Sequence, residues 1–228
     1  MKPAVSVIMA AYNSIETITR SMFSVFSQAY TDWELIVVDD CSEDKTADLV
    51  SQYTAPNVTL IRKRRNFGPA GARNAGIRKA KGKFIAILDA DDAMLPGRLH
   101  DQVRFMQGNP DVFLVGSGAY VTDENYRRTA RQRAIRTSKI ARCLPYFNPM
   151  VHVSIMFRND GTLYDKTFRL CEDYEFYLRA VKAGKKLANM DKFLVEYMEH
   201  GYLESKKGAF MEAGKRAREI NTAKVGKA

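Results

Sequence analysis

The chain has 228 residues, 46% of them hydrophobic and 27% charged, and a formal net charge of +10. That balance fits a soluble globular protein with a full core, in one large domain or two small ones. No apolar run approaches the roughly 18–20 residues of a membrane span. No signal-peptide pattern precedes the first strand-like segment. Cys41, Cys143 and Cys171 lack paired spacing, which argues against a disulfide framework or a zinc site and for a reducing, cytoplasmic compartment.

The positive charge is not spread evenly. Residues 127–142 carry +7 and residues 205–228 carry +5, so the rest of the chain is close to neutral at −2. Nucleic acid, an anionic lipid surface and an anionic substrate are the partners such patches suit.

In chain order, Val5–Ala10 reads as a first strand. Asn13-x-x-Glu16 has the form of a capping box, followed by apolar residues at helical spacing to about Gln28. Glu34–Val38 is a second strand ending in Asp39-Asp40, a helix runs from Asp44 or Lys45 to about Tyr53, and Val58–Ile61 is a third strand. Arg62–Pro69 is a polar loop and Ala70–Ala80 a helix of small residues. Gly82 then turns the chain into Phe84–Leu88, an unbroken apolar run suited to a buried strand. This βαβαβαβ alternation predicts right-handed crossovers and a mainly parallel sheet flanked by helices.

The fourth strand ends in three carboxylates within four residues, Asp89, Asp91 and Asp92. Open α/β sheets place ligands at the C-terminal ends of their strands. On an extended chain Asp89 and Asp91 share a face, and two such oxygen donors suit Mg²⁺ or Mn²⁺ shared with a phosphate. The ends of strands one, two and four (Ala11-Tyr12-Asn13, Asp39-Asp40 and Asp89-Ala90-Asp91) are predicted to line one sheet edge.

Beyond this, Pro96–Gln107 reads as a helix and Val112–Gly116 as a strand. Residues 120–135 form a hairpin or an arm, Ser138–Phe147 a helix, and Val151–Phe157 an extended segment. Glu172–Ala183 is a helix closed by Gly184, and Leu187–Met190 and Phe193–Tyr197 are two short strands. No Gly-x-Gly-x-x-Gly follows the first strand and no Walker sequence is present.

Five segments in register, Val5–Asn13, Glu34–Thr46, Gly71–Ile77, Leu88–Asp92 and Cys171–Phe176, resemble the family 2 glycosyltransferases of the GT-A fold over roughly residues 4–180. The resemblance implies a Rossmann-like, mixed but mainly parallel GT-A domain over 1–204. Its nucleotide-binding half is 1–110 and its acceptor-side half 111–204, with a basic tail at 205–228. It implies inverting transfer of a sugar from a nucleotide-diphosphate donor, by family frequency a UDP-sugar. The acceptor is a saccharide or lipid-linked molecule of cell-surface polysaccharide or lipopolysaccharide synthesis.

Carried onto this chain, the nucleotide sugar is held by Ala10, Ala11, Tyr12, Asn13, Asp40, Arg73, Asp89, Ala90 and Asp91. Asp91 and His200 attend a divalent cation. The base is Asp173, with Glu172 beside it positioning the acceptor, and His152 lies on the acceptor side. Many relatives have Tyr-Arg-x-His where this chain has Tyr197-Met198-Glu199-His200. The 205–228 segment reads either as a peripheral contact with the inner face of an anionic membrane or as a solvated tail. Two alternatives belong to other classes. A sugar-phosphate nucleotidyltransferase would carry a glycine-rich basic loop where Ala11–Ser14 stands, and a basic nucleic-acid-binding protein would need neither Asp91 nor Asp173.

Overall fold

The computed structural model describes residues 2–53, 55–199 and 207–222. The strands are β1 (Val5–Ala11), β2 (Trp33–Asp39), β3 (Val58–Arg62), β4 (Phe84–Asp89), β5 (Ala93–Met94), β6 (Val112–Thr122), β7 (Arg128–Gln132), β8 (Met156–Arg158) and β9 (Lys186–Met198). The helices are α1 (Ile18–Phe26), α2 (Thr46–Ser51), α3 (Gly68–Lys79), α4 (Arg98–Gly108), α5 (Thr137–Cys143), α6 (Glu172–Lys182) and α7 (Lys207–Thr222), with a 3₁₀ turn at His152–Ser154.

All the strands join one mixed sheet of order β3-β2-β1-β4-β8-β6-β9-β5, with β7 on β6. The first four in space are parallel, and β8 enters antiparallel beside β4. Strands β1, β2 and β4 are buried on both faces, which is why they read as apolar runs. Alternate residues serve opposite sides. Phe84, Ala86 and Leu88 pack with Met22 of α1 and Leu99 of α4, while Ile85 and Ile87 pack with Ala72 of α3 and Phe176 of α6. Each such side chain contributes about 1.5–3 kcal/mol by leaving water.

Small residues on α3 let it approach the sheet, and a Cβ on Gly76 would meet Ile8 Cγ2 at 2.6 Å. Below the sheet, Ser6 Oγ donates to Glu34 Oε1 (2.6 Å) and accepts from Gly82 N–H (2.8 Å). Gly82 lies directly against the β1 backbone there.

Several expectations change. No capping box forms: α1 begins at Ile18, and Asn13, at φ 50°, instead accepts from Glu43 N–H (2.8 Å) and donates its own N–H to Ser42 Oγ (3.0 Å). The 151–157 segment is a 3₁₀ turn followed by the short β8, because Ser154 Oγ donates to Val151 O (2.7 Å) and closes the turn. The two short strands after α6 are one long β9, parallel to β6, with register shifts on the partner strand at Gly116 and Gly118. A Cβ at Gly116 would meet Asn189 Oδ1 at 2.6 Å, so the irregular ladder depends on that glycine. Residues 120–135 do form a hairpin, β6 on β7.

The segment read as a tail contains α7, which packs on α6. Ala217 is fully buried, Arg216 lies 4.8 Å from the Phe168 ring, and Lys182 Nζ donates to Ile220 O (3.1 Å). Residues 205, 206 and 223–228 lie outside the described residues. No helix among the described residues is long and apolar enough to cross a membrane.

Gly82→Ala tests the sheet–turn contact. Its Cβ would sit 2.5 Å from Ser6 N and 2.7 Å from Val5 C, both backbone atoms that cannot rotate away. Urea denaturation is expected to show a loss of about 1–3 kcal/mol. An unchanged midpoint would mean that the turn relaxes freely.

Candidate active site

The C-terminal ends of β1, β2 and β4 lie side by side, with Ala10 in register with Val38 and Asp89. A cleft of about 320 Å³ opens over them, lined by Ala10, Ala11, Tyr12, Asp40, Arg73, Asp89, Ala90 and Asp91, as well as Ser14, Asn66, Gly68, Pro69 and Ala72. Eight of the nine residues expected to hold the nucleotide sugar are therefore together. The ninth, Asn13, is absent from the lining and braces the loop after β2 as described. Ser14, Asn66 and Pro69 carry no sequence signal of their own and enter through the fold.

Asp40 is buried. Its Oδ2 accepts from Phe67 N–H (2.9 Å), and its Oδ1 has no hydrogen-bond partner in the structure. Burial raises its pKa, and the Phe67 and Gly68 amides pull back. Tyr12 is 46% exposed at the cleft rim, its ring available for stacking.

Arg73 is the pivot of the site. It is 5% exposed, Nη2 contacts both oxygens of Asp89 (2.7 and 3.0 Å), and Nη1 donates to Glu172 Oε1 (2.6 Å). Burial alone would lower its pKa, but Asp89 and Glu172 override that and hold it well above the ordinary value. Glu172, expected to position the acceptor, is thus bound to Arg73, an arrangement not legible at a separation of 99 residues.

A second cavity, of about 540 Å³, shares Pro69, Arg73 and Asp89 with the first. Its walls include His152, Glu172 and Asp173, Tyr197 and Glu199 of the Tyr197–His200 segment, and also Gln132 and Arg169, which the sequence did not single out. Cys171, at φ 57°, precedes α6 in the left-handed region and turns the chain so that neighbouring carboxylates diverge: Glu172 meets Arg73, and Asp173 Oδ2 accepts from Asn148 Nδ2 (2.8 Å). Both sit in the first turn of α6, where the helix dipole favours negative charge. Burial nevertheless raises the pKa of Asp173, with Arg73 and Asn148 opposing. Spacing alone could not find the Asn148 contact with Asp173.

His152 is held by Tyr177 Oη (2.6 Å), with Tyr164 Oη 3.5 Å from its other nitrogen. Burial, with Arg73 nearby, lowers its pKa well below the ordinary value, so the imidazole is neutral. His200 lies outside the described residues.

The acidic turn after β4 is structured from within. Asp92 is buried, and its Oδ1 accepts from Met198 N–H (2.8 Å), joining the turn to the end of β9. Burial, with Asp91 and Asp89 beside it, raises its pKa well above the ordinary value. No cluster of three or more His, Cys, Asp or Glu side chains among the described residues forms a closed metal cage. Asp89 and Asp91 stand on the cleft wall with Asp92 beside them, oxygen-bearing side chains of the kind that Mg²⁺ or Mn²⁺ takes when other oxygens complete its shell.

Comparison with known proteins agrees with this geometry. The sequence pattern described as "Glycosyl transferase family 2" matches residues 6–181. An uncharacterized glycosyltransferase of Methanocaldococcus jannaschii is 32% identical over 206 residues, which cover 86% of this chain and 71% of that protein. The UDP-Glc:alpha-D-GlcNAc-diphosphoundecaprenol beta-1,3-glucosyltransferase WfaP of Escherichia coli is 30% identical over 196 residues, 86% of this chain and 77% of its own length. Among solved structures, the mannosyltransferase PcManGT from Pyrobaculum calidifontis in complex with GDP-Man and Mn²⁺ superposes with a TM-score of 0.73 at 19% identity, covering 100% of this chain and 66% of that one. The shared architecture is the Rossmann-like GT-A fold.

Arg73→Met keeps the stem and removes the guanidinium, leaving Glu172 and Asp89 as buried or half-buried charges without it. Breaking a buried pair from one side costs about 3–5 kcal/mol. The expected result is a matching loss in denaturant titration, partly recovered in Arg73→Met/Glu172→Gln. Wild-type stability of the single variant would remove Arg73 from the centre of the structure.

Proposed function

The chain belongs to glycosyl transferase family 2, and on that premise we propose that it is a metal-dependent, inverting glycosyltransferase. It moves a sugar from a nucleotide diphosphate, with uracil as the base, to a saccharide or lipid-linked acceptor in cell-surface polysaccharide or lipopolysaccharide synthesis. It works in the cytoplasm, at or near the inner face of the membrane. The observation that carries this is the meeting of the two cavities at Arg73 and Asp89, with Asp91 on one side and Asp173 on the other.

On the donor side the base stacks on Tyr12 and lies against Asp40, which lines the cleft beside it. Asp89 takes the ribose side while it stays anchored by Arg73. Asp91 would hold a divalent cation, with His200 as a further candidate ligand, and that cation would supply charge neutralisation at the leaving diphosphate.

On the acceptor side Asp173 is the general base. Asn148 holds Oδ2 and orients the carboxylate that takes the proton of the acceptor hydroxyl. As that O–H bond breaks, the oxygen forms its bond to the anomeric carbon from the face opposite the diphosphate. The bond from that carbon to the diphosphate oxygen breaks with its electron pair, and the nucleoside diphosphate leaves. A raised pKa makes Asp173 a stronger proton acceptor than an ordinary carboxylate. Neutral His152, fixed by Tyr177, offers the acceptor a polar contact without adding charge. A panel of nucleotide sugars, scored with Mn²⁺ for thermal stabilisation and hydrolysis, tests the function; no response to any of them overturns it.

Asp91→Asn is expected to weaken UDP binding in Mn²⁺ and to abolish transfer, and EDTA is expected to do the same to the wild type. UDP affinity indifferent to both changes would remove Asp91 from the metal.

Asp173→Asn keeps shape and loses the proton acceptor, so kcat is expected to fall roughly 10²–10⁴-fold with donor affinity unchanged. A parallel loss of donor affinity would assign Asp173 to the nucleotide site.

The base must be ionised, so activity falls as pH drops through the raised pKa of Asp173, giving an acid limb above the ordinary aspartate value of about 3.9. Asn148→Ala removes a hydrogen bond that favours the charged form, and the limb moves to higher pH. A pH–rate profile of both proteins measures the shift; a limb unmoved or moved down contradicts the assignment.

A further inference from the structure

The segment 127–142 carries seven cations and no acid, and none of the seven has a part in the reaction. Arg128 pairs with Glu196, and Arg128 and Arg131 lie 4.0 and 5.5 Å from the Tyr120 ring centroid. Arg133 and Arg136 are different. Both are exposed, and among the described residues neither side chain has a hydrogen bond, an ion pair or a ring contact. They line one recess of about 350 Å³, together with Thr137, Asn189 and Asp191.

The recess has a fixed floor. Thr137 Oγ1 accepts from Asn189 N–H (2.9 Å) and donates to Asn189 O (3.2 Å), and Asn189 Nδ2 donates to Ile135 O (2.9 Å). These bonds hold the chain between β7 and α5 against β9, so an anchored segment carries both guanidiniums. Asp191, the one carboxylate in the lining, pairs with neither arginine, which leaves both forks of donors free for a ligand.

The recess adjoins the second cavity, where the acceptor sits. Gln132 lines that acceptor cavity, and Arg133, the next residue, lines the recess. The two also back onto each other at Gly116. An added Cβ there would lie 2.6 Å from Asn189 Oδ1, on the recess wall, and 2.8 Å from Met150 Cε, on the wall of the acceptor cavity. Their charges differ in sign. The acceptor cavity sets Asp89, Glu172, Asp173 and Glu199 against Arg73 and Arg169, whereas the recess sets two guanidiniums against Asp191 alone. An anionic sugar is repelled beside Asp173 and attracted in the recess next to it. The recess has a surplus of one positive charge, which suits a carboxylate better than a doubly charged phosphate, and Asp191 supplies an acceptor for sugar hydroxyls. A flat bilayer surface uses no such recess, and the carboxylate inside it disfavours anionic headgroups.

We propose that the recess is a subsite for an acidic sugar of a saccharide acceptor. The neutral terminal sugar brings its hydroxyl to Asp173, and Arg133 and Arg136 bind the carboxylate of the unit behind it. The inference rests on the glycosyltransferase reading for the acceptor's being a saccharide, and it adds a charge requirement to that acceptor whether or not a lipid carries it.

The test is calorimetric titration of the full chain, without donor or metal. The probes are tetrasaccharides of hyaluronan, heparosan and unsulfated chondroitin, cut so that the neutral amino sugar is terminal, each beside its carboxyl-reduced counterpart. At least one acidic form is expected to bind about tenfold tighter than its reduced form, and Arg133→Gln/Arg136→Gln is expected to remove that preference. Both arginines are exposed, so the melting temperature and the UDP–Mn²⁺ affinity of this variant serve as controls for folding. If no acidic form is preferred, or if the variant keeps the preference, the proposal is overturned. Arg127→Gln/Arg142→Gln removes the same charge outside the recess and is expected to keep the preference; an equal loss there means a diffuse field with no subsite, and also overturns it. Phosphatidylglycerol vesicles are titrated alongside. If the recess variant loses vesicle binding while its saccharide titrations stay as in the wild type, the recess is a bilayer contact and the proposal fails. Failure of every nucleotide sugar to stabilise the wild type counts against the glycosyltransferase reading alone, because these titrations contain no donor.

Discussion

One buried guanidinium holds the two halves of the site together. Arg73 projects from α3 and reaches Asp89 at the end of β4 and Glu172 at the start of α6, three elements that touch the chemistry from different sides. Two carboxylates share one cation, so the cluster keeps a net negative charge even before Asp91, Asp92 and Asp173 are counted. That excess is tolerable because the pocket is open to solvent, and it suits the binding of a cation. The same arrangement separates Glu172 from Asp173, adjacent in sequence: one is bound to Arg73, and the other faces the second cavity with the Asn148 amide and the Tyr174 backbone N–H on its carboxylate.

A second buried cation supports the strand ends from the opposite side of the sheet. Arg98 is fully buried on α4 and donates to Ile87 O (2.9 Å) and Ile155 O (3.2 Å), which ties β4 to the turn that carries His152. Burial lowers its pKa to about 9, with Asp92 opposing the shift, so it remains a cation at neutral pH. Asp92 in turn grips Met198 N–H. The acidic turn is therefore divided: Asp92 works inward on stability, and Asp89 and Asp91 face the cleft. Of the basic segment 127–142, Arg128 is committed to Glu196 (2.9 Å) and lies 4.0 Å from the Tyr120 ring, while Gln132 reaches the acceptor cavity. Part of that charge is structural.

The parallel half of the fold was legible because its strands are interior. Burial on both faces demands apolar residues: Phe84–Leu88 is unbroken, and Val5–Ala10 and Glu34–Val38 each carry one polar residue, Ser6 and Glu34, which bond to each other. The small residues of α3 were legible for a related reason: close packing on a sheet excludes larger ones. The C-terminal half was harder to read. Its strand β8 has three residues, and its longest strand, β9, is interrupted by the polar pair Asp191-Lys192, so neither shows a clean period. Helix α7 has enough lysine and arginine to pass for a solvated tail, and only its contact with α6 buries Ala217.

The carboxylates divide the same way. Asp40, Asp89 and Asp91 announced themselves because each follows a buried strand, and a parallel sheet brings such ends to one edge by its own geometry. By itself, then, the sequence determined the sheet, the edge and the acidic residues that stand on it. What only the tertiary structure decided is which partner each charge acquires: Arg73 with Glu172, Asn148 with Asp173, Asp92 with Met198, and Asn13 with the loop after β2 instead of the nucleotide cleft. All of those pairs join residues 25 or more apart. Hydrophobic periodicity records which face of an element is buried, but it carries no information about which distant polar group will be waiting there.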